Sequence, residues 1–115
     1  MAELEKLKKY LDDNGIRNEW SSVISDMDQI IVYDPKHEIR LWDVISHQYS
    51  YGGDRGLLEI YGSLCTDVIG WLTADDVIKI IENHKKNGGI PIDSMDDIKE
   101  DWYLWLRLIQ ILFQH

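Results

Sequence analysis

The sequence predicts an α+β fold: an antiparallel sheet of about four or five strands with flanking helices and an apolar C-terminal helix. Short runs rich in aliphatic and aromatic residues, separated by turn residues, predict strands between residues 20 and 71. Apolar residues spaced three and four apart predict helices before and after these strands. A chain of 115 residues is the size of one domain. We expect residues 1–89 to form its core and residues 90–115 to form a C-terminal helix that could act as an interaction element.

The N-terminal helix is predicted over residues 2–13. Leu4, Leu7 and Leu11 draw one apolar stripe, which indicates that this helix covers a face of the sheet. The pair Asn14-Gly15 supplies a C-terminal stop.

Five runs predict strands, at residues 20–25, 29–33, 38–45, 57–61 and 68–71. Aspartate and proline turns at residues 26–28 and 34–37 separate the first three, which is typical of a meander. The fourth run is ambiguous, because Leu57, Ile60, Tyr61 and Leu64 also fit a helical stripe.

A second helix is predicted from Thr73 to about Lys86. Thr73 provides an N-cap hydroxyl and Asp76 an acid three residues later, which together make a capping box. We expect this helix to bury its apolar residues and to end at the Asn-Gly-Gly sequence of residues 87–89; the apolar residues are Val77, Ile78 and Ile81.

The C-terminal helix carries more apolar surface than one buried face explains. One stripe consists of Met95, Ile98, Trp102, Trp105, Ile109 and Leu112, and a second consists of Leu104, Leu108 and Ile111. Either the helix lies deep in its own core, or it forms an interface with a partner or a second copy. We expect the second arrangement to produce a homodimer.

The net charge of -9 restricts the partners. It disfavours direct contact with nucleic acid or anionic membrane and favours a protein partner with a basic surface. No uninterrupted apolar run approaches the roughly 20 residues that span a bilayer. The single cysteine, Cys65, is typical of a reducing compartment. We therefore expect a soluble, cytoplasmic protein.

The acids cluster in two segments, the first at residues 18–35 and the second at residues 93–101. We predict that these clusters bind the partner while exposed aromatic residues anchor it. The alternative for the second cluster is that its carboxylates serve the start of a helix. The predicted partner-binding residues are Glu19, Asp26, Asp28, Asp34, Asp96, Asp97, Glu100, Asp101, Trp102 and Trp105.

An alternative site lies at the glycine-rich loop SYGGDRG, residues 50–56, where the backbone can approach a ligand closely. There, an arginine would reach an anionic group and a tyrosine would stack on a small molecule or nucleotide. The loop lacks the Lys-Ser/Thr ending of a P-loop. The residues of this alternative are Asp43, His47, Tyr49, Tyr51, Asp54 and Arg55.

A third hypothesis is a small hydrolase or nuclease that uses Asp43 and His47 for acid-base chemistry. On a strand these residues would lie roughly 13 Å apart, so a direct bond requires a bend. No metal site is predicted, because the spacing of the first acidic cluster puts Ile31 where an EF-hand needs glycine. We expect no cofactor and no catalysis, and we expect Cys65 to be a small core residue.

A set of residues between positions 42 and 77 carries a resemblance to known proteins. They are Trp42, Asp43, His47, Ser50, Tyr51, Gly52, Gly56, Leu57, Leu58, Glu59, Gly62 and the run at 70–77, GWLTADDV. In these residues the sequence resembles a group of small proteins from phages and prophages of Gram-positive bacteria. The likeness covers roughly residues 1–88, and it implies a setting in the host bacterial cytosol without implying an activity. Small acidic proteins of that setting are often inhibitors of host defence, including CRISPR nucleases, so an anti-CRISPR-like role is an expectation by analogy.

Overall fold

The structure is a computed structural model that describes residues 2–24, 27–46, 55–98 and 112. In chain order its elements are α1 (Ala2–Asp13), β1 (Asn18–Ile24), β2 (Met27–Tyr33), β3 (Arg40–Ser46), β4 (Leu58–Gly62), β5 (Ile69–Leu72) and α2 (Ala74–Lys86). This arrangement confirms the predicted α+β fold with five strands and a helix on either side of them in the chain.

The sheet is an antiparallel meander. Its strands lie in the order β1-β2-β3-β4-β5, and each pairs with the next along the chain. The ambiguous segment around residue 60 is therefore a strand, since Val44 pairs with Ile60 in the middle of the sheet. The predicted strand boundaries differ from those of the structure by up to two residues.

One face of the sheet packs against both helices. Alternate residues of β2, β3 and β4 are buried there, as the two-residue period of a strand requires. The leucine stripe of α1 and the apolar residues of α2 complete a single core. This core contains Leu4, Leu7, Leu11, Ile30, Val32, Trp42, Val44, Leu58, Ile60, Leu72, Ala74, Val77, Ile80 and Ile81.

The two helices run side by side in the same direction. Near their N-termini, Glu3 accepts a hydrogen bond from the backbone N–H of Ala74. Lys6 forms an ion pair with Asp75 at 3.0 Å, and further along Tyr10 donates a hydrogen bond to Glu82. The Glu3 carboxylate lies at the positive end of α2, where it stabilises the helix start.

The predicted capping box opens α2. The Thr73 hydroxyl accepts a bond from the Asp76 N–H at 3.2 Å, and the Asp76 carboxylate accepts one from the Thr73 N–H at 3.0 Å. Of the residues expected to be buried, Val77 and Ile81 are in the core, while Ile78 packs at its margin.

The chain after α2 returns to the sheet. Ile92 forms a parallel bridge with Cys65, and the Thr66 hydroxyl donates to Asp93 at 2.7 Å. Ile92 and Ile98 are both part of the core, so the fold includes the chain at least to residue 98. Cys65 is buried, as predicted, and burial raises the pKa of its thiol.

The predicted C-terminal helix lies mostly outside the described residues. Residues 95–98 are helical, and Leu112 is helical with 73% of its surface exposed. Within the described part of the chain, no helix is long and apolar enough to cross a membrane.

Candidate functional site

The face of the sheet opposite the core, here named the outer face, carries acidic, amide and tyrosine side chains around Ile31, which is itself buried with 4% of its surface exposed. Its residues alternate with those of the core along each strand. They are Glu19, Ser21, Gln29, Ile31, Tyr33, Asp43, Ile45, Glu59 and Tyr61.

Four outer-face residues form a row across four strands. Glu19 pairs with Ile31, Ile31 with Asp43, and Asp43 with Tyr61. Neighbouring strands lie about 4.8 Å apart, so the backbones of Glu19 and Asp43 are separated by roughly 10 Å. Two carboxylates and an exposed phenol thus lie in line on one surface.

Both carboxylates of this row are hydrogen-bonded to neutral donors. The Tyr33 hydroxyl donates to Glu19 at 3.2 Å, and the Gln29 amide donates to Asp43 at 2.7 Å. A neutral donor fixes the position of a carboxylate without cancelling its charge. The row therefore holds negative charge in a set geometry.

The three lysines of α1 are paired with carboxylates outside the acidic row. On α1, Lys8 pairs with Asp12 at 3.2 Å and Lys9 with Asp13 at 2.8 Å, in addition to the Lys6–Asp75 pair. These pairs leave little net charge on the exposed side of α1.

Arg17 is also paired away from the acidic row. Its guanidinium bonds to Glu38 and to the backbone carbonyls of Asp34 and His37, and it lies 5.3 Å from the centroid of the Tyr33 ring. Arg17 is therefore paired with Glu38, while Glu19 and Asp43 keep their neutral hydrogen-bond donors.

The structure does not bring the first predicted acidic cluster into one patch. Asp28 and Asp34 are six residues apart at opposite ends of β2, a separation of about 20 Å. Asp28 accepts a bond from Ser22 at 2.7 Å, whereas Asp34 accepts bonds within the turn that follows β2. Asp26 lies outside the described residues.

The position of Asp34 has a local structural cause. Its carboxylate accepts hydrogen bonds from the backbone N–H groups of Lys36 and His37, and contacts the His37 ring at 3.0 Å. The Lys36 backbone bond, followed by the His37 side chain, holds the pKa of Asp34 below its usual value. Asp34 thus stabilises the turn between β2 and β3.

The second predicted acidic cluster is described only at its start. Asp96 and Asp97 are exposed, and Asp97 accepts a bond from the backbone N–H of Asp93 at 2.9 Å. Asp97 thereby serves the start of a helical turn, which is the alternative that the sequence left open. The remaining residues of this prediction, Glu100, Asp101, Trp102 and Trp105, lie outside the described residues.

The alternative ligand site is likewise described only in part. Asp43 lies on the outer face, bonded to Gln29, and the Arg55 guanidinium lies 5.7 Å from the centroid of the Trp71 ring. The other residues of that prediction, His47, Tyr49, Tyr51 and Asp54, lie outside the described residues. Among the side chains that are described, no three of the His, Cys, Asp or Glu type converge as metal ligands.

Trp71 is a candidate residue that the sequence analysis missed. The pairing of β4 with β5 sets Gly70 and Trp71 against the single residue Glu59, which is a β-bulge. Trp71 has a left-handed backbone with φ 62°, and its side chain is 55% exposed. Tyr61, on the neighbouring strand, is 61% exposed. A glycine inside a strand pattern indicates a bulge, so Gly70 was the signal available in the sequence.

Comparisons with known proteins add no family to this description. No family model, no curated protein and no solved structure matches the chain. The resemblance to phage and prophage proteins stays a prediction.

Proposed function

We propose that this protein acts by binding a partner protein through the outer face of its sheet, and that the partner presents a basic surface that otherwise holds nucleic acid. The observation that supports this most is the row of Glu19 and Asp43, whose carboxylates are held by neutral donors, while Arg17 beside the row pairs with Glu38.

Fixed carboxylates suit such a partner for two reasons. Complementary charge speeds diffusional encounter and disfavours wrong partners. Because Glu19 and Asp43 are already oriented by Tyr33 and Gln29, little side-chain freedom is lost on binding. No reaction is part of this proposal.

The setting of the proposal comes from the resemblance to phage and prophage proteins. In that setting the partner is a host defence protein in the bacterial cytosol, and the acidic surface competes with DNA or RNA for its binding site. A CRISPR nuclease is one host defence protein with a basic nucleic-acid-binding surface of this kind.

The experiment captures the partner from a lysate of a Gram-positive bacterium on immobilised full-length protein. The column is then washed with duplex DNA, and the proteins that this DNA releases are identified by mass spectrometry. The affinity of each released protein for the immobilised protein is measured across a salt series. We expect one or more nucleic-acid-binding proteins to be retained. The double variant Glu19→Gln, Asp43→Asn should bind at least tenfold more weakly and show a smaller salt dependence.

The matched control removes the same amount of charge elsewhere. The double variant Asp13→Asn, Asp75→Asn changes the net charge equally, but at sites paired with Lys9 and Lys6. It should retain the partner almost as the unmodified protein does. Equal losses in both double variants, or no loss in the first, would reject the outer face as the binding surface.

A further inference from the structure

Trp71 lies in a backbone conformation that a large side chain does not favour. At φ 62° glycine is the residue of least strain, and a bulky aromatic residue there is an outlier. The side chain is more than half exposed, so burial in the core does not account for its size. Residues with strained backbone of this kind cluster at functional sites, such as active sites and ligand-binding sites.

Arg55 and Tyr61 accompany Trp71 at the same end of the sheet. The Arg55 guanidinium lies over the indole ring, a contact that holds the ring in one orientation. Trp, Tyr and Arg are the three residue types most enriched at the energetic centres of protein interfaces.

The acidic row ends next to Trp71 and Arg55. Tyr61 is the last residue of the row that begins at Glu19, and Trp71 lies across from Glu59 on the adjacent edge strand. Asp43 therefore lies beside the exposed Tyr61, and Glu59 lies between Tyr61 and the exposed Trp71 in the register of the strands. Interfaces have this organisation, with aromatic and arginine residues at the centre and charged residues at the rim.

We propose that Trp71 and Tyr61 anchor the basic partner protein, with the indole of Trp71, which Arg55 holds in place, seated in an apolar pocket beside that partner's basic surface. This inference rests on the proposed function. It assigns different roles to the two parts of the surface: the carboxylates accelerate association, and the aromatic anchor slows dissociation.

The test measures association and dissociation rates of the DNA-releasable protein recovered in the preceding experiment. The main variant is Trp71→Gly, because glycine accepts the backbone conformation and so preserves the fold. We expect dissociation at least tenfold faster with an unchanged salt dependence and a melting temperature within about 5 °C of the unmodified protein. The control is Ile39→Ala, which removes an apolar side chain of equal exposure, 55%, from the turn between β2 and β3. It should leave both rates unchanged.

A second measurement locates the contact. A photo-crosslinking amino acid replaces Tyr61 in one sample and Ile39 in another, and crosslinks to the recovered protein should form only from position 61. Unchanged dissociation in Trp71→Gly, or crosslinking from position 39 alone, overturns the anchor. If the carboxylate variants still weaken binding in that case, the proposed function stands without it. If no protein that DNA can release is retained at all, both the proposed function and the aromatic anchor are rejected.

Discussion

The guanidinium of Arg55 lies over the indole ring of Trp71, with its central carbon 5.7 Å from the ring centroid. This contact joins the segment before β4 to the bulge in β5, and it holds an exposed aromatic ring on a strained backbone. The arrangement leads to a stability prediction that requires no partner.

Trp71→Gly should change the free energy of unfolding by no more than about 1 kcal/mol. Relief of the left-handed strain contributes about 1–2 kcal/mol. Loss of the exposed cation–π contact and of partial burial removes a similar amount, about 1–2 kcal/mol. Urea denaturation followed by circular dichroism measures the difference. The comparison is Trp42→Ala, where a side chain only 6% exposed is removed from the core and about 3–5 kcal/mol is lost. A loss of that size in Trp71→Gly would mean that the indole is structural.

Gly62 is predicted to be intolerant of any side chain. It has φ 129°, and a Cβ atom placed there would lie 2.6 Å from both the Leu41 carbonyl oxygen and the Trp42 Cα. Because these are backbone atoms of the paired strand, they have no rotamer that relieves the clash. Gly62→Ala should destabilise the fold by on the order of 3 kcal/mol or prevent folding. Gly56→Ala is the control: with φ 72° and no atom within 4 Å, it should cost only about 1 kcal/mol. Similar losses in the two variants would contradict the steric argument.

The sequence predicted the elements of this fold because their signals are local. The leucine stripe of α1 and the Thr73–Asp76 capping box each lie within a few residues, and the structure contains both. The signal for the QIIVY strand, residues 29–33 of β2, is also local. Its β-branched residues and its flanking aspartate turns define it without knowledge of its partners.

The candidate site was less predictable, because strand register decides it. Charge clustering along the chain grouped Asp28 with Asp34, yet β2 separates these residues by its own length. The row from Glu19 to Asp43 joins residues that are distant in sequence, and only the pairing of β1, β2 and β3 reveals it. The bulge at Trp71 likewise depends on how β5 pairs with β4.

Tyr10 should give the protein a stability that declines in alkali. Partial burial, together with the hydrogen bond to Glu82, raises the pKa of Tyr10 to about 12. An unfolded tyrosine ionises near pH 10, so the folded state holds this proton more tightly. The resulting contribution is fully present below about pH 10 and is lost as pH rises from about 10 to 12. Since the group is partly solvated, the contribution is on the order of 1 kcal/mol.

The variant Tyr10→Phe isolates this effect, because it removes the ionisable hydroxyl and keeps the ring. Urea denaturation at about pH 8 and about pH 11 gives the change in the free energy of unfolding for each protein. We expect a smaller decline in Tyr10→Phe than in the unmodified chain, with the difference appearing only above about pH 10. An identical decline would show that the Tyr10–Glu82 bond is not linked to the proton.

The C-terminal helix of residues 90–115 is predicted to drive homodimerisation, and the structure determines how to test this. A deletion that begins at residue 90 would remove Ile92 and Ile98 from the core, so the informative truncation ends at residue 98. Light scattering at micromolar concentration should give a dimer for the full chain and a monomer for residues 1–98. Leu112→Glu should also give a monomer without loss of stability, because Leu112 is 73% exposed and a charge at an apolar interface is unfavourable. The control Ile39→Glu adds the same charge at another exposed apolar position and should remain dimeric. A monomeric full-length chain, or a dimer that survives both the truncation and Leu112→Glu, would rule out the C-terminal segment as the dimer interface.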